Sequence, residues 1–413
     1  MFEIKGKYNI AKVYQDIEKV EESCLKQIEE ISNSEAYRDC KVRVMADTHT
    51  GASSPIGFTV EYKGKVIPAT VGVDIGCGMY LLKLEGIKKE DIDFEAFDNF
   101  IRANIPSGMD VNSHKVIDFD LTRLKCYDHL INIDRLEATI PSLGGGNHFQ
   151  ELDEDSKGNI YFVVHTGSRN LGKQVAEYYQ DLAYNLINLK TEEIKNEKMS
   201  LIKKYKEEGR EKEIQEALTS LNERYKEEIA KESIPREYVY LEGSNLEDYL
   251  HDMKICQEFA SLNRETICKM VAGFFNLNFE KLEKFETIHN YIDVDNGILR
   301  KGAIAAYKGK KVLIPINMAE GSIIGIGRGC EDMNYSAPHG AGRLFSRAQA
   351  KSSLNVEEFK DKMKGIWSSC VNENTLDESP MAYKKLTDII PNIRDTVDVV
   401  EVIKPIYNFK AEE

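Results

Sequence analysis

Short apolar β segments, glycine-rich turns and helical stretches follow one another without a regular strand–helix–strand period, and there is no internal repeat. A regular alternation would predict a parallel sheet wrapped in helices; its absence predicts an α+β fold, one large composite domain over 1–413 with interrupted β-sheets. Residues 1–40 read as a short strand and then a helix, with Ile17, Val20, Cys24 and Ile28 at spacings of three and four. From 41 to 85 the pattern turns to β and loop, from Lys41-Val-Arg-Val-Met45 through a Gly/Ser/Pro-rich loop to Val71-Gly-Val-Asp-Ile-Gly-Cys-Gly-Met79. Helix and loop share 91–140, and a strand falls at 160–165. Further on, 237–274 is helical, 285–345 alternates β segments with glycine-rich turns, helices fill 346–390, and a short strand pair closes the chain.

The sharpest change of composition is at 174–233, which is dense in Lys and Glu. Ile214, Leu218, Leu221, Tyr225 and Ile229 form a narrow apolar stripe there, and Gly209 interrupts the pattern near its middle. Two long amphipathic helices in an inserted antiparallel hairpin are expected, with a solvated charged face in preference to an RNA-contact surface.

Composition narrows the class. With 42% hydrophobic and 30% charged residues, collagen-like, low-complexity and wholly disordered readings are excluded. No apolar run approaches the ~20 residues of a membrane span. The first residues lack the basic start and apolar stretch of a signal peptide, so a soluble, cytoplasmic protein without membrane contact is expected. The eight cysteines include no CxxC pair, and free thiols are expected. A net charge of −14 means that any affinity for nucleic acid must come from a local basic site.

Five of the eight histidines, His49, His148, His165, His289 and His339, lie in loops or at strand ends beside small residues. Asp74-Ile-Gly-Cys77 places a carboxylate and a thiol between glycines, where a turn can aim both at one metal. Ser142-Leu-Gly-Gly-Gly-Asn-His148 ends a glycine run, able to bring backbone N–H groups to phosphate, with an amide and an imidazole. His165-Thr-Gly-Ser-Arg169 sets an imidazole at a strand end ahead of a hydroxyl and a guanidinium suited to an oxyanion. Asp74, Cys77, His148, His165 and His289 make a mixed N/O/S donor set for one or two divalent ions; softness alone admits zinc, manganese, iron or cobalt. The segment Ser336-Ala-Pro-His-Gly-Ala-Gly-Arg-Leu-Phe-Ser-Arg347 adds a histidine able to attack phosphorus, a close-approach backbone and phosphate-directed cations.

Taken in order, these fragments resemble the RtcB-type RNA ligase family over nearly the whole chain. The matching pieces are Asp47-Thr-His49, Pro55-Ile-Gly57, Val73-Asp-Ile-Gly-Cys-Gly78, Gly146-Asn-His-Phe-Gln-Glu151 and His165-Thr-Gly-Ser-Arg-Asn-Leu-Gly172. His289-Asn290, Pro338–Arg347, Pro380-Met-Ala-Tyr-Lys384 and Lys410 complete them. The resemblance implies an enzyme that joins RNA 3′-phosphate or 2′,3′-cyclic phosphate ends to 5′-hydroxyl ends, in RNA repair or tRNA splicing, with GTP as co-substrate and two Mn2+. It implies Asp74, Cys77, His148, His165 and His289 as metal ligands around a dinuclear site, with Cys77 bridging. His339 is then the histidine that becomes guanylylated. Asn147, Glu151, His289, Asn290, Asn317, Ser322, His339, Gly340, Ala341, Gly342 and Lys410 are the implied nucleotide contacts, and Arg169 and Arg343 the implied substrate-phosphate contacts. Asn317 stands where a serine is common in the family, Gly76 where an asparagine is usual, and Lys173 where a histidine is common, which marks a divergent branch. Two other readings use the same residues: a metal-dependent phosphodiesterase or cyclic phosphatase that does not ligate, and a non-catalytic RNA-binding homologue. Covalent labelling by GTP separates all three.

Overall fold

A strand covered on both faces must be apolar almost throughout, and two segments meet that demand. All seven residues of Ile160–Thr166 are buried, and in Gly78–Leu84 only Lys83 is not. They are neighbours within a seven-stranded sheet, in the order Lys284–Ile288, Gly78–Leu84, Ile160–Thr166, Phe149–Glu154, Val397–Lys410, Gly321–Gly327, Lys311–Asn317. Every adjacent pair is antiparallel. One face packs Leu82, Leu84, Phe162 and Val164 against Ile267, Cys268 and Val271 of the long helix Gly243–Phe274. The other face curls on itself around Met79, Leu81, Phe149, Tyr161, Val163, Leu313 and Ile403, and Lys311 reaches across to Glu283.

The computed structural model describes residues 1–231 and 234–411. A second sheet of six strands runs Phe2–Lys5, Ile10–Val13, Lys41–His49, Ile56–Glu61, Ile298–Lys301, Asn290–Asp293, with one parallel pairing, Ile10–Val13 on Lys41–His49. The chain is thus a mixture of helices and several sheets, as the irregular order of segments predicts. His289 falls between Lys284–Ile288 of the first sheet and Asn290–Asp293 of the second, at the point where the chain passes from one to the other.

Local differences from the sequence-based expectation have physical causes. The N-terminus forms two strands before its helix Glu22–Ser32; Ile17 is exposed in a 3-10 turn, so the three-and-four spacing of Ile17 and Val20 belongs to no helix. The expected closing strand pair is one strand of fourteen residues, Val397–Lys410. Pro405, which reads as a break because it lacks an N–H, sits where the pairing register shifts between Pro405 and Tyr407. In the charged segment one helix of 39 residues, Arg169–Glu207, starts ahead of residue 174, and the return is split into Ile214–Arg224 and Lys226–Lys231. Gly209 adopts positive φ in the turn between them. Leu221 is buried against the long helix, and Arg224 and the Tyr225 hydroxyl both bond Glu197. Residues 232 and 233, the end of the expected hairpin, lie outside the described residues. Among the described residues no helix is long and apolar enough to cross a membrane.

Candidate active site

The antiparallel register aligns three strand ends. Met79 and Phe149 both pair with His165, so Cys77 in the turn before one strand, His148 just before another and His165 near the end of the third share one edge of the sheet. His289, at the crossover to the second sheet, closes the group. Cys77 Sγ lies 3.4 Å from His148 Nε2 and 3.2 Å from His165 Nε2; His165 Nε2 is 3.3 Å from His289 Nε2, and His148 Nε2 is 3.1 Å from Asp74 Oδ2. The donors fall into two triads, Cys77/His165/His289 and Asp74/Cys77/His148, with Cys77 common to both.

The second nitrogen of each ring decides the tautomer. His148 Nδ1 is 3.0 Å from the Leu143 carbonyl and His165 Nδ1 is 3.2 Å from the Asn147 carbonyl. A carbonyl only accepts, so His165 Nδ1 carries the proton and its Nε2 turns a lone pair into the cluster, whereas His148 Nδ1 also meets Arg169 Nη1 and His148 Nε2 faces the Asp74 carboxylate. Burial, and then the neighbouring imidazoles His148 and His339, push His165 and His289 respectively well below the usual histidine range, which keeps both rings neutral. Burial would raise the Asp74 carboxyl, but the hydrogen bond and charge of His148, with Cys77 and Arg169, together hold the group below the usual carboxylate range. Burial and the adjacent Asp74 carboxylate push the Cys77 thiol well up, the shift a coordinated cation reverses. Three imidazoles, one carboxylate and one sulfur, crowded together across little more than 3 Å, are a set of donors that positive charge among them would hold. The donor set fits divalent metal.

Two glycines make these approaches possible. A Cβ at Gly167 would lie 2.1 Å from Asp74 Oδ1, and one at Gly144, where φ is +85°, would lie 1.9 Å from the Arg169 guanidinium. Gly144 of the glycine run therefore makes room for an arginine inside the protein. Arg169 takes φ +58° at the start of its helix and brings Nη1 to 3.2 Å from His148 Nδ1, beside the donor cluster.

His339 follows the short strand Ser336–Pro338, which pairs with Ala303–Ala305, and the amide of Ala303 donates to the His289 carbonyl. The two rings are brought to 4.8 Å between centroids. His339 Nδ1 is 2.8 Å from Oδ2 of the buried Asp47, which also accepts from the His339 backbone N–H at 3.2 Å. A carboxylate oxygen accepts here, so Nδ1 donates and Nε2 is left for other contacts, the arrangement that a nucleophilic histidine would need. Sequence reasoning gives Asp47 no role of its own; the Asp47-Thr-His49 motif is its only signal.

A cavity opens beside His339. Asn147, Glu151, Asn317, His339, Gly340, Ala341, Gly342, Arg343 and Lys410, all expected at a nucleotide or phosphate, line it together with Phe149, Met318, Arg347, Glu378 and Tyr383. His289 and Asn290 are not on its wall: the Asn290 side chain accepts from the Gly302 amide and ties the two loops together. Ser322 is buried behind Gly321, its hydroxyl without a protein partner. Every nitrogen of the Arg343 guanidinium already donates, to the Phe345 and Asp377 carbonyls, Glu378 and the Tyr383 hydroxyl, so this arginine is not free for a phosphate. Burial pushes the Glu151 carboxyl up to about 7, with the Asn408 amide and Lys410 acting against it.

A sheet edge carrying a buried metal-type donor cluster next to a carboxylate-held histidine and a cation-lined cavity has the chemistry that metal-assisted group transfer would use. The family model described as "tRNA-splicing ligase RtcB" matches residues 27–131 and 127–411. The chain belongs to the RtcB family, a family of RNA ligases. It is 28% identical over 407 residues to an RNA-splicing ligase RtcB of Escherichia coli, covering 90% of both chains. It is 26% identical over 435 residues to a tRNA-splicing ligase RtcB of Nanoarchaeum equitans, covering 84% of this chain and 83% of that protein. Against the Thermococcus kodakarensis tRNA-splicing ligase RtcB the identity is 24% over 442 residues, with 85% and 83% covered.

Proposed function

We propose that this chain is an RNA ligase that joins a 3′-phosphate or 2′,3′-cyclic phosphate end to a 5′-hydroxyl end, using GTP and two Mn2+, through GMP carried on His339. The observation that carries this reading is the Asp47–His339 pair, which leaves Nε2 free next to the donor cluster and at the mouth of the cavity. Asp74, Cys77, His148, His165 and His289 would hold the metal, which would supply positive charge to offset the charge building on phosphate oxygens. Cys77 belongs to both donor triads, so the five residues could hold two ions.

The chain's own groups divide the work. His339 Nε2 attacks the GTP α-phosphorus; the N–P bond forms as the bond to the β-phosphate oxygen breaks and pyrophosphate leaves. Asp47 stabilises the positive charge that develops on the ring. A 3′-phosphate oxygen of the RNA then takes the GMP, restoring His339, and the 5′-hydroxyl displaces GMP from the activated end. A cyclic end must first be opened by water to a 3′-phosphate. Arg169, beside the cluster, is placed for the RNA phosphate. Incubation with α-labelled GTP and Mn2+ tests the reading: protein that stays unlabelled while cleaving cyclic phosphate without GTP would be a phosphodiesterase instead.

Glu151 supplies a pH test. As the ionised form it accepts from the N–H donors of guanine; protonated below about 7 it no longer does. Apparent GTP affinity should therefore fall as pH drops through 7, by up to about tenfold per unit. In Glu151→Gln the affinity should be weak and flat across that range. A wild-type affinity that is constant from pH 8 to 6 removes Glu151 from base recognition.

We read the charged helices as an insertion within the ligase domain. Its far part is held by its own contacts, Leu221 and the Glu197 pairs, and contributes no side chain to the cavity. Replacing 190–230 by a short linker should leave guanylylation intact and ligation largely so. If the deletion spared guanylylation but abolished RNA binding, the arm would be the RNA-docking element.

A further inference from the structure

The wall of the cavity away from the donor cluster is organised by a buried acid that the chemistry above does not use. Glu378 ends the 3-10 segment Glu373–Glu378 and is 3% exposed, yet four side chains from three other segments converge on it. Its Oε2 accepts from Lys410 Nζ at 2.9 Å and the Tyr383 hydroxyl at 2.6 Å. Its Oε1 takes Arg343 Nη1 at 3.0 Å and Arg347 Nη2 at 3.1 Å. Asp377 next to it holds Arg347 Nη1 at 2.8 Å and Lys351 at 3.6 Å.

Burial would raise the Glu378 carboxyl; the charges of Lys410, then Arg347 and Arg343, hold it below the usual range, so it stays ionised. Lys410 depends on it in turn. This ammonium is 5% exposed and 5.3 Å from the Phe149 ring, and Glu378 is the one carboxylate that pairs with it among the described residues. A buried ammonium stripped of its counter-charge gives up its proton or leaves its place. Arg343 and Arg347, left on the same wall without that carboxylate, would repel each other and Lys410.

We infer that Glu378 is a positioning residue for the nucleotide. One oxygen fixes the Lys410 ammonium on the cavity wall, and the other ties that lysine to Arg343 and Arg347. That carboxylate acts on the seat of the guanine through Lys410, with Arg343 and Arg347 holding it in place. This rests on the reading of the cavity as the GTP site.

The test is the GTP concentration dependence of His339 labelling in the full chain with Mn2+. Glu378→Gln should raise half-saturating GTP by about tenfold and leave the saturated rate within about threefold, because Lys410 touches the base and not the reacting phosphorus. Glu378→Asp, which keeps the charge, should recover part of the loss. Lys410→Met should show a similar defect, and adding Glu378→Gln to it should cost little more, since one residue acts through the other. Additive losses, or half-saturation in Glu378→Gln within about twofold of wild type, would overturn the inference. If Glu378→Gln does not melt cooperatively, Glu378→Asp with and without Lys410→Met carries the same cycle. A wild-type protein that takes no label overturns the GTP reading and this inference with it; a labelled wild type with additive variants overturns the role of Glu378 alone.

Discussion

Replacing His339 by alanine should abolish the covalent GMP adduct while leaving the fold unchanged. The adduct formed by the wild-type protein should be labile to acid and stable to alkali, as a phosphoramidate is, and should require GTP and Mn2+ together. The fold should survive because the His339 side chain is partly exposed and makes one hydrogen bond, to Asp47. The variant keeps the backbone N–H that donates to the same carboxylate oxygen at 3.2 Å, so the buried Asp47 is not stranded. Gel labelling with α-labelled GTP beside a circular-dichroism melt reads both halves of the prediction. An adduct of unchanged intensity in the variant would take His339 out of the mechanism, and another nucleophile would have to be sought.

Cys77→Ser should remove metal and activity together. The sulfur is the one donor common to both triads, so its loss weakens every proposed metal position at once, whereas loss of His289 touches one triad. A serine hydroxyl is nearly the same size but stays protonated and is a poor bridge. Metal content by elemental analysis should fall for both ions, and ligation by at least about a hundredfold. The same change at Cys24, Cys40 or Cys370 should be tolerated, since none of these belongs to a donor group. A Cys77→Ser protein that retains two metals and full ligation would show the ligand set to be wrong.

Part of the site is legible in the amino-acid order alone. Asp74-Ile-Gly-Cys77 and His165-Thr-Gly-Ser-Arg169 are weak signals singly, since an Asp-x-x-Cys is more often structural, and become informative only together with His148 and His289 as one mixed N/O/S donor set. Their convergence is not legible in that way. It follows from the register that pairs both Met79 and Phe149 with His165, and pairing partners far apart in the chain leave no local trace. The glycine run before His148 reads as a phosphate cradle, and Gly144 instead makes space for a guanidinium, since a missing side chain looks the same whatever fills the gap. Arg343 reads as a free cation because its acceptors, Glu378 and the Asp377 carbonyl, come from a later segment. Nothing in Leu376-Asp-Glu-Ser379 distinguishes Glu378 from any other acid of the chain; burial among three cations does that, and burial is a property of the folded state. At the closing strand, Pro405 hides the continuity of fourteen residues because the register shift that accommodates it depends on the partner strand.

His289 sits where the chain crosses from the seven-stranded sheet to the six-stranded one, and Asp47, which orients His339, belongs to the six-stranded sheet. The proposed reactive centre is therefore a seam, owned by neither sheet. A polypeptide with only one sheet formed holds an incomplete donor set and an unaimed histidine, and so has no chemistry to misdirect at passing nucleotides during synthesis. The donor set and the Asp47–His339 pair are complete only when both sheets are formed and docked. A displacement of one sheet against the other would separate His289 and the Asp47–His339 pair from the rest of the donors without unfolding either sheet.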